Sequence, residues 1–161
     1  MVTRIGDSRK ARANRSLVSA KRNASLVQLT AMTMPKKSLV IEDDDVAREL
    51  MRMALEKSGY QVTTAENGVQ GYDTAIFFRP DLIVTDIRMP AADGIHVVRR
   101  VRDTASLEKT PILVITAFGD GHATFSLQQG ANAFEPKPID PGSFLSTVER
   151  LLSERNTLKA A

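Results

Sequence analysis

The chain has 161 residues, of which 42% are apolar and 25% are charged, so we expect one globular domain with a hydrophobic core. It contains no cysteine, which excludes disulfides, cysteine-ligated zinc sites and cysteine nucleophiles. No apolar run is long enough to cross a membrane, and we expect a cytoplasmic protein.

The net charge of +3 is distributed unevenly along the chain. Residues 1–34 contain seven basic residues against one acidic residue, have few large apolar residues and show no clear period. This composition predicts a disordered basic extension ahead of a mildly acidic domain that begins at residue 35. The simplest interpretation is an extension without a function of its own, or a natural start at Met34. Contact with nucleic acid or a membrane is the alternative.

From Leu39 onward, strand-like and helix-like patterns alternate along the chain. Short apolar runs predict strands that are mostly buried on both faces, at residues 39–42, 60–65, 81–86, 111–116 and 132–136. The segments between and after them predict helices, at residues 45–59, 67–79, 92–103, 119–130 and 141–155. Five strands alternating with five helices indicate an α/β domain over residues 35–155, with a parallel sheet covered on both faces. Residues 156–161 would then form a short C-terminal tail.

The helical patterns also predict which side chains face the core. In the first helix, apolar residues recur at a spacing of three and four, which is typical of a helix: Val46, Leu50, Met53 and Ala54. In the second helix, Gly71 is expected to weaken the helix by about 1 kcal/mol. In the fourth helix, an inward stripe that contains Leu127 would leave Phe125 exposed, as a candidate for a binding surface.

Polar side chains stand where the predicted strands end. Glu42 and Asp43 close the first strand, and Asp86 ends the third. Thr116 ends the fourth strand, and Lys137 follows the fifth. Ligands of open α/β sheets bind at the carboxyl ends of the strands, so we expect these side chains to line one crevice.

The residue types in this crevice favour phosphoryl chemistry. Three carboxylates suit a hard cation such as Mg²⁺, which takes one or two carboxylates together with water and phosphate oxygens. A lysine and a hydroxyl group opposite such an ion suit a phosphoryl group. One of the carboxylates can then act as a nucleophile and form an acyl phosphate.

Over about residues 36–154, the sequence resembles the receiver domain of bacterial two-component response regulators. The resemblance rests on LVIEDDD, PDLIVTDIRMP, a DG pair, PILVITA and GANAFEPKPID, which occur in the family's order. It implies a flavodoxin-like, doubly wound α/β fold in which five parallel strands have the order 2-1-3-4-5 and are accompanied by five helices.

The resemblance implies Mg²⁺ as the cofactor and assigns four positions to the metal site. Asp43 would be the main carboxylate ligand, and Glu42 its acidic neighbour, which acts through water. Asp86 and the backbone carbonyl of Arg88 would complete the protein ligands.

The resemblance also assigns the residues of phosphoryl transfer. Asp86 matches the phosphorylated aspartate, and Lys137 matches the lysine that pairs with the phosphoryl group. Thr116 matches the residue whose hydroxyl group moves towards the phosphoryl group. These three are the candidate catalytic residues. Thr116 and Phe134 match the switch pair of the family. The Lys137–Pro138 bond is expected to be cis, which an X–Pro bond permits.

The function that the resemblance implies is that of a signalling phosphoacceptor, not an enzyme with a separate substrate. The protein would catalyse only its own phosphorylation and dephosphorylation, and would take the phosphoryl group from a sensor histidine kinase or a histidine phosphotransfer protein. We expect a stand-alone receiver that switches the binding of a downstream protein partner, without direct DNA binding. The fourth helix, fifth strand and fifth helix would form its binding surface, through which a homodimer could also form.

Two other functions stay open at this point. One is a receiver-like interaction module that works without phosphorylation, against which the complete set of site residues argues. The other is a Mg²⁺-dependent aspartyl-phosphate phosphatase. Haloacid-dehalogenase-like phosphatases carry D-x-D-x-[TV] after the first strand, whereas DDDVA places Ala47 at the last position.

His96 and His122 lack a partnering motif and are expected on the surface.

Overall fold

The computed structural model describes residues 34–90, 93–117 and 120–160. Within these ranges the strands are Lys37–Ile41 (β1), Gln61–Ala65 (β2), Leu82–Asp86 (β3), Ile112–Thr116 (β4) and Ala133–Pro136 (β5). The helices are Asp45–Lys57 (α1), Gly68–Phe78 (α2), Gly94–Arg102 (α3), Asp120–Gln128 (α4) and Pro141–Ala160 (α5). All strand pairs are parallel, and the order β2-β1-β3-β4-β5 confirms the predicted fold. The predicted disorder of residues 1–34 concerns a segment that, apart from Met34, lies outside the described residues.

The sheet separates two hydrophobic cores. Alternate side chains of a strand point to opposite faces. On one face, Leu39 and Ile83 pack with apolar residues of α2 and α3. On the other face, Val40 and Val84 pack with apolar residues of α1 and α5. Strands β3 and β4 are buried along their whole length, which explains why they appear in the sequence as continuous apolar runs.

The helix predicted at α1 is present, but most of the apolar residues whose spacing predicted it lie outside its buried face. Met51 and Leu55 are the buried residues of this helix. Val46, Leu50 and Met53 are 72%, 44% and 58% exposed, on the opposite side. Both sets recur at helical spacing, so periodicity alone could not decide which of them meets the sheet.

The inward stripe predicted for α4 also needs correction. Its buried side chains are Ala123 and Ser126, whereas Leu127 is 40% exposed. The exposure predicted for Phe125 is confirmed, at 42%.

Gly71 has a packing role that helix propensity does not show. A Cβ atom at this position would lie 2.4 Å from Cδ1 of Ile41 and 2.8 Å from two further atoms of the same side chain. Glycine therefore lets α2 approach β1 more closely than any other residue would.

The last helix is longer than predicted, because α5 continues through residues 156–160. Near its end, Arg155 Nη1 donates hydrogen bonds to the backbone carbonyl of Asp81 at 2.6 Å and to its Oδ1 at 3.0 Å. Asp81 Oδ2 accepts from the backbone N–H of Lys37 at 3.0 Å. These bonds hold α5 against the amino ends of β1 and β3.

No helix in the described part of the chain is both long and apolar enough to span a membrane.

Replacing Gly71 with alanine is expected to lower the free energy of unfolding by about 1–3 kcal/mol, because the added methyl group would overlap Ile41. Helix propensity alone predicts the opposite, a gain of about 1 kcal/mol. Urea unfolding distinguishes the two. As a control, Ile41→Val removes the atom nearest to the new Cβ, so the double variant should lose less than the sum of the single losses. A stability gain for Gly71→Ala would contradict the packing argument.

Candidate functional site

Four strand ends bring the predicted site residues to one edge of the sheet. Glu42 and Asp43 lie between β1 and α1, and Asp86 is the last residue of β3. Thr116 is the last residue of β4, and Lys137 follows the last residue of β5. Because the strands are parallel, these carboxyl ends lie along the same edge.

The three carboxylates form one compact group. One oxygen each of Glu42, Asp43 and Asp86 lies within 4.8 Å of the others. Glu42 is fully buried, Asp86 is buried and Asp43 is exposed, so the group reaches solvent through Asp43. Such a set of oxygen ligands fits a hard divalent cation.

Lys137 bridges two of these carboxylates. Its Nζ donates hydrogen bonds of 3.0 Å to Asp86 Oδ2 and to Glu42 Oε1. The other oxygen of Glu42, Oε2, is also buried and lies 2.9 Å from the same Nζ, so both oxygens face the ammonium group. One ammonium group among three carboxylates leaves negative charge uncompensated, and a further cation beside them would be stabilised.

Burial and neighbouring charges shift the pKa values of this group. Burial is the largest influence on Glu42 and raises the pKa of its carboxyl group, against the hydrogen bond from Lys137. For Lys137, burial acts to lower the pKa, but the hydrogen bonds to Glu42 and Asp86 outweigh it and raise the pKa above its ordinary value. Lys137 therefore stays positively charged and balances only part of the negative charge around it.

Both oxygens of Asp86 are held in place. Oδ1 accepts a hydrogen bond from the backbone N–H of Ile87 at 2.7 Å, while Oδ2 accepts from Lys137. Thr116 is buried and lies next to Ile115, the cross-strand partner of Asp86. The backbone N–H of Lys137 donates to the carbonyl of Thr116 at 2.8 Å, which ties the lysine to the end of β4. The expected cis bond between Lys137 and Pro138 is present.

The remaining predicted residues lie around this group. Arg88 is exposed in the loop after β3. Phe134 lies on β5 opposite Val114, and its side chain is 40% exposed. His96 and His122 are exposed on α3 and α4, as expected.

Arg48 is a site residue that the sequence analysis missed. Its Nη1 donates to the backbone carbonyl of Glu42 at 2.7 Å and to that of Asp43 at 3.4 Å. Its Nη2 also pairs with the carboxylate of Asp45. The guanidinium group therefore fixes the loop that carries two of the three carboxylates. The signal in the sequence was an arginine one turn into the helix that follows the acidic run.

Gly94 is the second missed residue. A Cβ atom there would lie 2.0 Å from the backbone oxygen of Asp86, and the Gly94 N–H donates to the carbonyl of Ile87 at 2.9 Å. Only glycine lets the start of α3 approach the end of β3 this closely. Asp93 caps α3 by accepting from the backbone N–H of His96 at 2.8 Å. The DG pair is the sequence signal for this contact.

A family model described as the response regulator receiver domain matches residues 39–149. The chain belongs to this receiver family. Family membership confirms the predicted functional class, a signalling phosphoacceptor. It favours neither the phosphatase nor the module that works without phosphorylation.

Two curated relatives and one solved structure illustrate the range of receiver proteins that the chain is similar to. The polar-differentiation response regulator DivK of Brucella anthropi is 34% identical over 122 residues, which are 75% of this chain and 99% of DivK. The response regulator MprA of Mycobacterium sp. (strain KMS) is 38% identical over 120 residues, 74% of this chain, and the match spans about half of MprA, 51%. The receiver domain of the sensor histidine kinase PA1611 from Pseudomonas aeruginosa has a TM-score of 0.70 at 27% identity, over 74% of this chain and 99% of that domain. That structure holds a magnesium ion in its active site cleft.

Glu42→Gln is expected to raise the free energy of unfolding of the metal-free receiver at neutral pH by about 1 kcal/mol, because it removes a fully buried negative charge next to Asp86. The pKa of Glu42 is raised in the folded state. Between pH 4.5 and this raised value, the folded wild type therefore holds a proton that the unfolded chain has lost, and its stability falls as the pH rises. The advantage of the variant should therefore shrink as the pH falls towards 4.5, the ordinary glutamate value, and grow as the pH rises.

Urea unfolding in EDTA at several pH values tests this prediction. Asp73→Asn, which removes an exposed carboxylate on α2, is the matched control and should change stability little at any pH. A Glu42→Gln variant that is less stable than wild type at every pH would show that the Lys137–Glu42 pair outweighs the burial cost.

Proposed function

We propose that this receiver accepts a phosphoryl group on Asp86 in a Mg²⁺-dependent reaction and then changes its affinity for a protein partner. The observation that carries the proposal is the position of the Asp86 carboxylate. It lies between the Ile87 N–H and the Lys137 ammonium group, at the edge of a group of three carboxylates.

The metal site of the proposal consists of Asp43, Asp86 and the backbone carbonyl of Arg88, with Glu42 acting through water. Three carboxylates against one ammonium group leave an excess of negative charge, which supports cation binding. The Mg²⁺ ion, when bound, supplies positive charge that neutralises the transferring phosphoryl group.

In the proposed reaction, an oxygen of Asp86 attacks the phosphorus atom of a phosphohistidine. The new O–P bond forms as the N–P bond of the donor breaks, and the histidine ring leaves and takes up a proton. Lys137 already contacts Asp86 and can follow the negative charge to a phosphoryl oxygen. The hydroxyl group of Thr116 donates a hydrogen bond to another phosphoryl oxygen. The protein would catalyse only its own phosphorylation and dephosphorylation, with no other substrate.

The proposed phosphoryl donor is a histidine kinase or a histidine phosphotransfer protein, and the exposed face of α1 is where we place it. Val46, Leu50 and Met53 form an exposed apolar stripe about 10 Å long, which starts three residues after Asp43. Acidic and basic side chains border it: Asp45, Glu49 and Arg52. A helix of the donor that packed on this stripe would lie beside the carboxylates. Exchange with such a donor also implies a cytoplasmic protein.

The proposed output surface lies on α4, β5 and α5. Phe125, Leu127 and Phe134 are 42%, 40% and 40% exposed and present apolar area on α4 and β5. Thr116 is paired with Pro136 of β5, so a change at the end of β4 acts directly on the strand that carries Phe134. Phosphorylation would shift the population between two packings of this region and thereby the binding of a downstream partner or a second copy.

Incubation with acetyl phosphate and Mg²⁺ is expected to add one phosphoryl group to the wild type, and Asp86→Asn should abolish the addition, because the nucleophilic oxygen is lost. Intact-mass spectrometry measures the product. Asp73→Asn, an exposed carboxylate outside the site, is the matched control and should be phosphorylated like the wild type. Equal phosphorylation of Asp86→Asn, or no phosphorylation of the wild type, would contradict the proposal.

Leu50→Lys on α1 is expected to slow phosphotransfer from a protein donor about tenfold, because it places a charge in the apolar contact. The rate with acetyl phosphate should not change, since this donor does not touch α1. The donor used is whichever kinase phosphorylates the wild type fastest in a panel of purified histidine kinases. Val69→Lys, which makes the same kind of change on the exposed face of α2, is the control. If both lysine variants react like the wild type with the kinase, α1 is not the donor surface.

A further inference from the structure

A cleft of about 810 Å³ opens beside the phosphoacceptor, between the loop after β3, helix α3 and helix α4. Its floor is apolar and formed by Ile87, Met89 and Ile95, which are 4%, 8% and 9% exposed. Small-molecule sites in proteins have volumes of about 300–1,000 Å³ and are mostly apolar with a few polar groups. The cleft has this size and composition. The proposed phosphoryl transfer uses only the backbone groups of Ile87 and Arg88 among its lining residues, and it leaves the side chains of the cleft without a role.

Arg99 places a positive charge in the cleft in a defined orientation. Its Nε donates to Oε1 of Gln129 at 2.6 Å, and its guanidinium carbon lies 6.0 Å from the ring centre of Phe125. Within the described residues, its two terminal nitrogens have no hydrogen-bond partner. An arginine that its neighbours already orient loses little side-chain entropy when it binds an anion, and its terminal nitrogens form the fork that matches a phosphate group.

The rest of the rim adds a second arginine and two histidines. Arg88, His96 and His122 line it. Among the lining residues in the described part of the chain, Asp93 is the one acidic side chain, and its Oδ1 accepts the capping hydrogen bond from the His96 N–H. Two arginines, Arg88 and Arg99, against one carboxylate therefore favour an anionic ligand over a cationic one.

The combination of these features identifies the class of ligand. Phe125 gives an aromatic wall next to the oriented guanidinium group, and the floor below is apolar. A planar ring can stack on phenylalanine while an attached phosphate reaches Arg99. We propose that this cleft binds a purine nucleotide, with the base against Phe125 and the floor and the phosphates at Arg99. Because Phe125 also belongs to the proposed output surface, a bound nucleotide would compete with a partner there.

Fluorescence titration with N-methylanthraniloyl derivatives of GTP and ATP tests the inference. The buffer contains EDTA, so that binding through Mg²⁺ at the carboxylate group cannot contribute. We expect saturable binding of at least one derivative, with displacement by the same unlabelled nucleotide. In NMR spectra, the amide chemical-shift changes that the bound nucleotide causes should centre on residues 87–99 and 120–129.

Arg99→Gln is expected to weaken this binding about tenfold, and Phe125→Leu to weaken it by a smaller factor. Arg150→Gln removes an exposed arginine on α5 and is the matched control, which should bind like the wild type. A wild type that binds the nucleotide but takes no phosphoryl group from acetyl phosphate would show a failure of the phosphorylation proposal alone, so the two proposals are distinguishable. Thermal unfolding of each variant verifies that it is folded. If Arg99→Gln does not fold, the binding measured for Phe125→Leu decides the test.

Three results would overturn the inference. The first is the absence of saturable binding, and the second is an equal loss of binding in Arg150→Gln. The third is displacement of the labelled nucleotide by tripolyphosphate or by an acidic peptide as effectively as by the unlabelled nucleotide. Displacement by tripolyphosphate would show a general anion surface, and displacement by the peptide would show a protein-binding surface.

Discussion

The ammonium group of Lys137 lies between carboxylates that come from two different strands, and the arrangement of the site depends on it. Glu42 follows β1 and Asp86 ends β3, so the lysine links β5 to both. Without this cation, two buried carboxylates would repel each other at a point where the fold forces them together. The lysine stabilises the pair, so the site is assembled before any metal ion binds. One ammonium group does not balance Glu42, Asp86 and the exposed Asp43, so the site still favours a metal ion.

Several backbone contacts keep the carboxylates where the lysine can reach them. Arg48 holds the carbonyls of the loop after β1, and Gly94 lets the start of α3 pack against the end of β3. Neither residue takes part in the proposed chemistry. Arg48 restricts the loop after β1, and Gly94 restricts the loop after β3. A phosphoacceptor needs such restriction, because phosphoryl transfer depends mainly on positioning and charge.

The sequence predicted the sheet and the site better than it predicted the faces of the helices, for a physical reason. A strand buried on both faces is a short apolar run, and the polar residues that follow such runs meet at one edge of a parallel sheet. Helix α1 instead has apolar residues on opposite sides, and periodicity fits Val46 and Leu50 as well as Met51 and Leu55. Only contact with the sheet decides between them. The role of Gly71 likewise depends on a neighbour in β1 that local propensity cannot include.

The apolar side chains that the fold leaves exposed are therefore informative about function. A helix that covers one face of a sheet needs one buried stripe, which Met51 and Leu55 supply in α1 and Ala123 helps to supply in α4. A second, exposed apolar stripe adds nothing to the core, and a partner that covered it would remove its contact with water. Strand β3, which ends in Asp86, pairs with β1 and β4, and these strands lead directly into α1 and α4. The exposed stripe of α1 and the exposed Phe125 of α4 thus follow the two strands that flank the strand of the phosphoacceptor, so the proposed donor on α1 and the proposed partner on α4 can both respond to the same carboxylate.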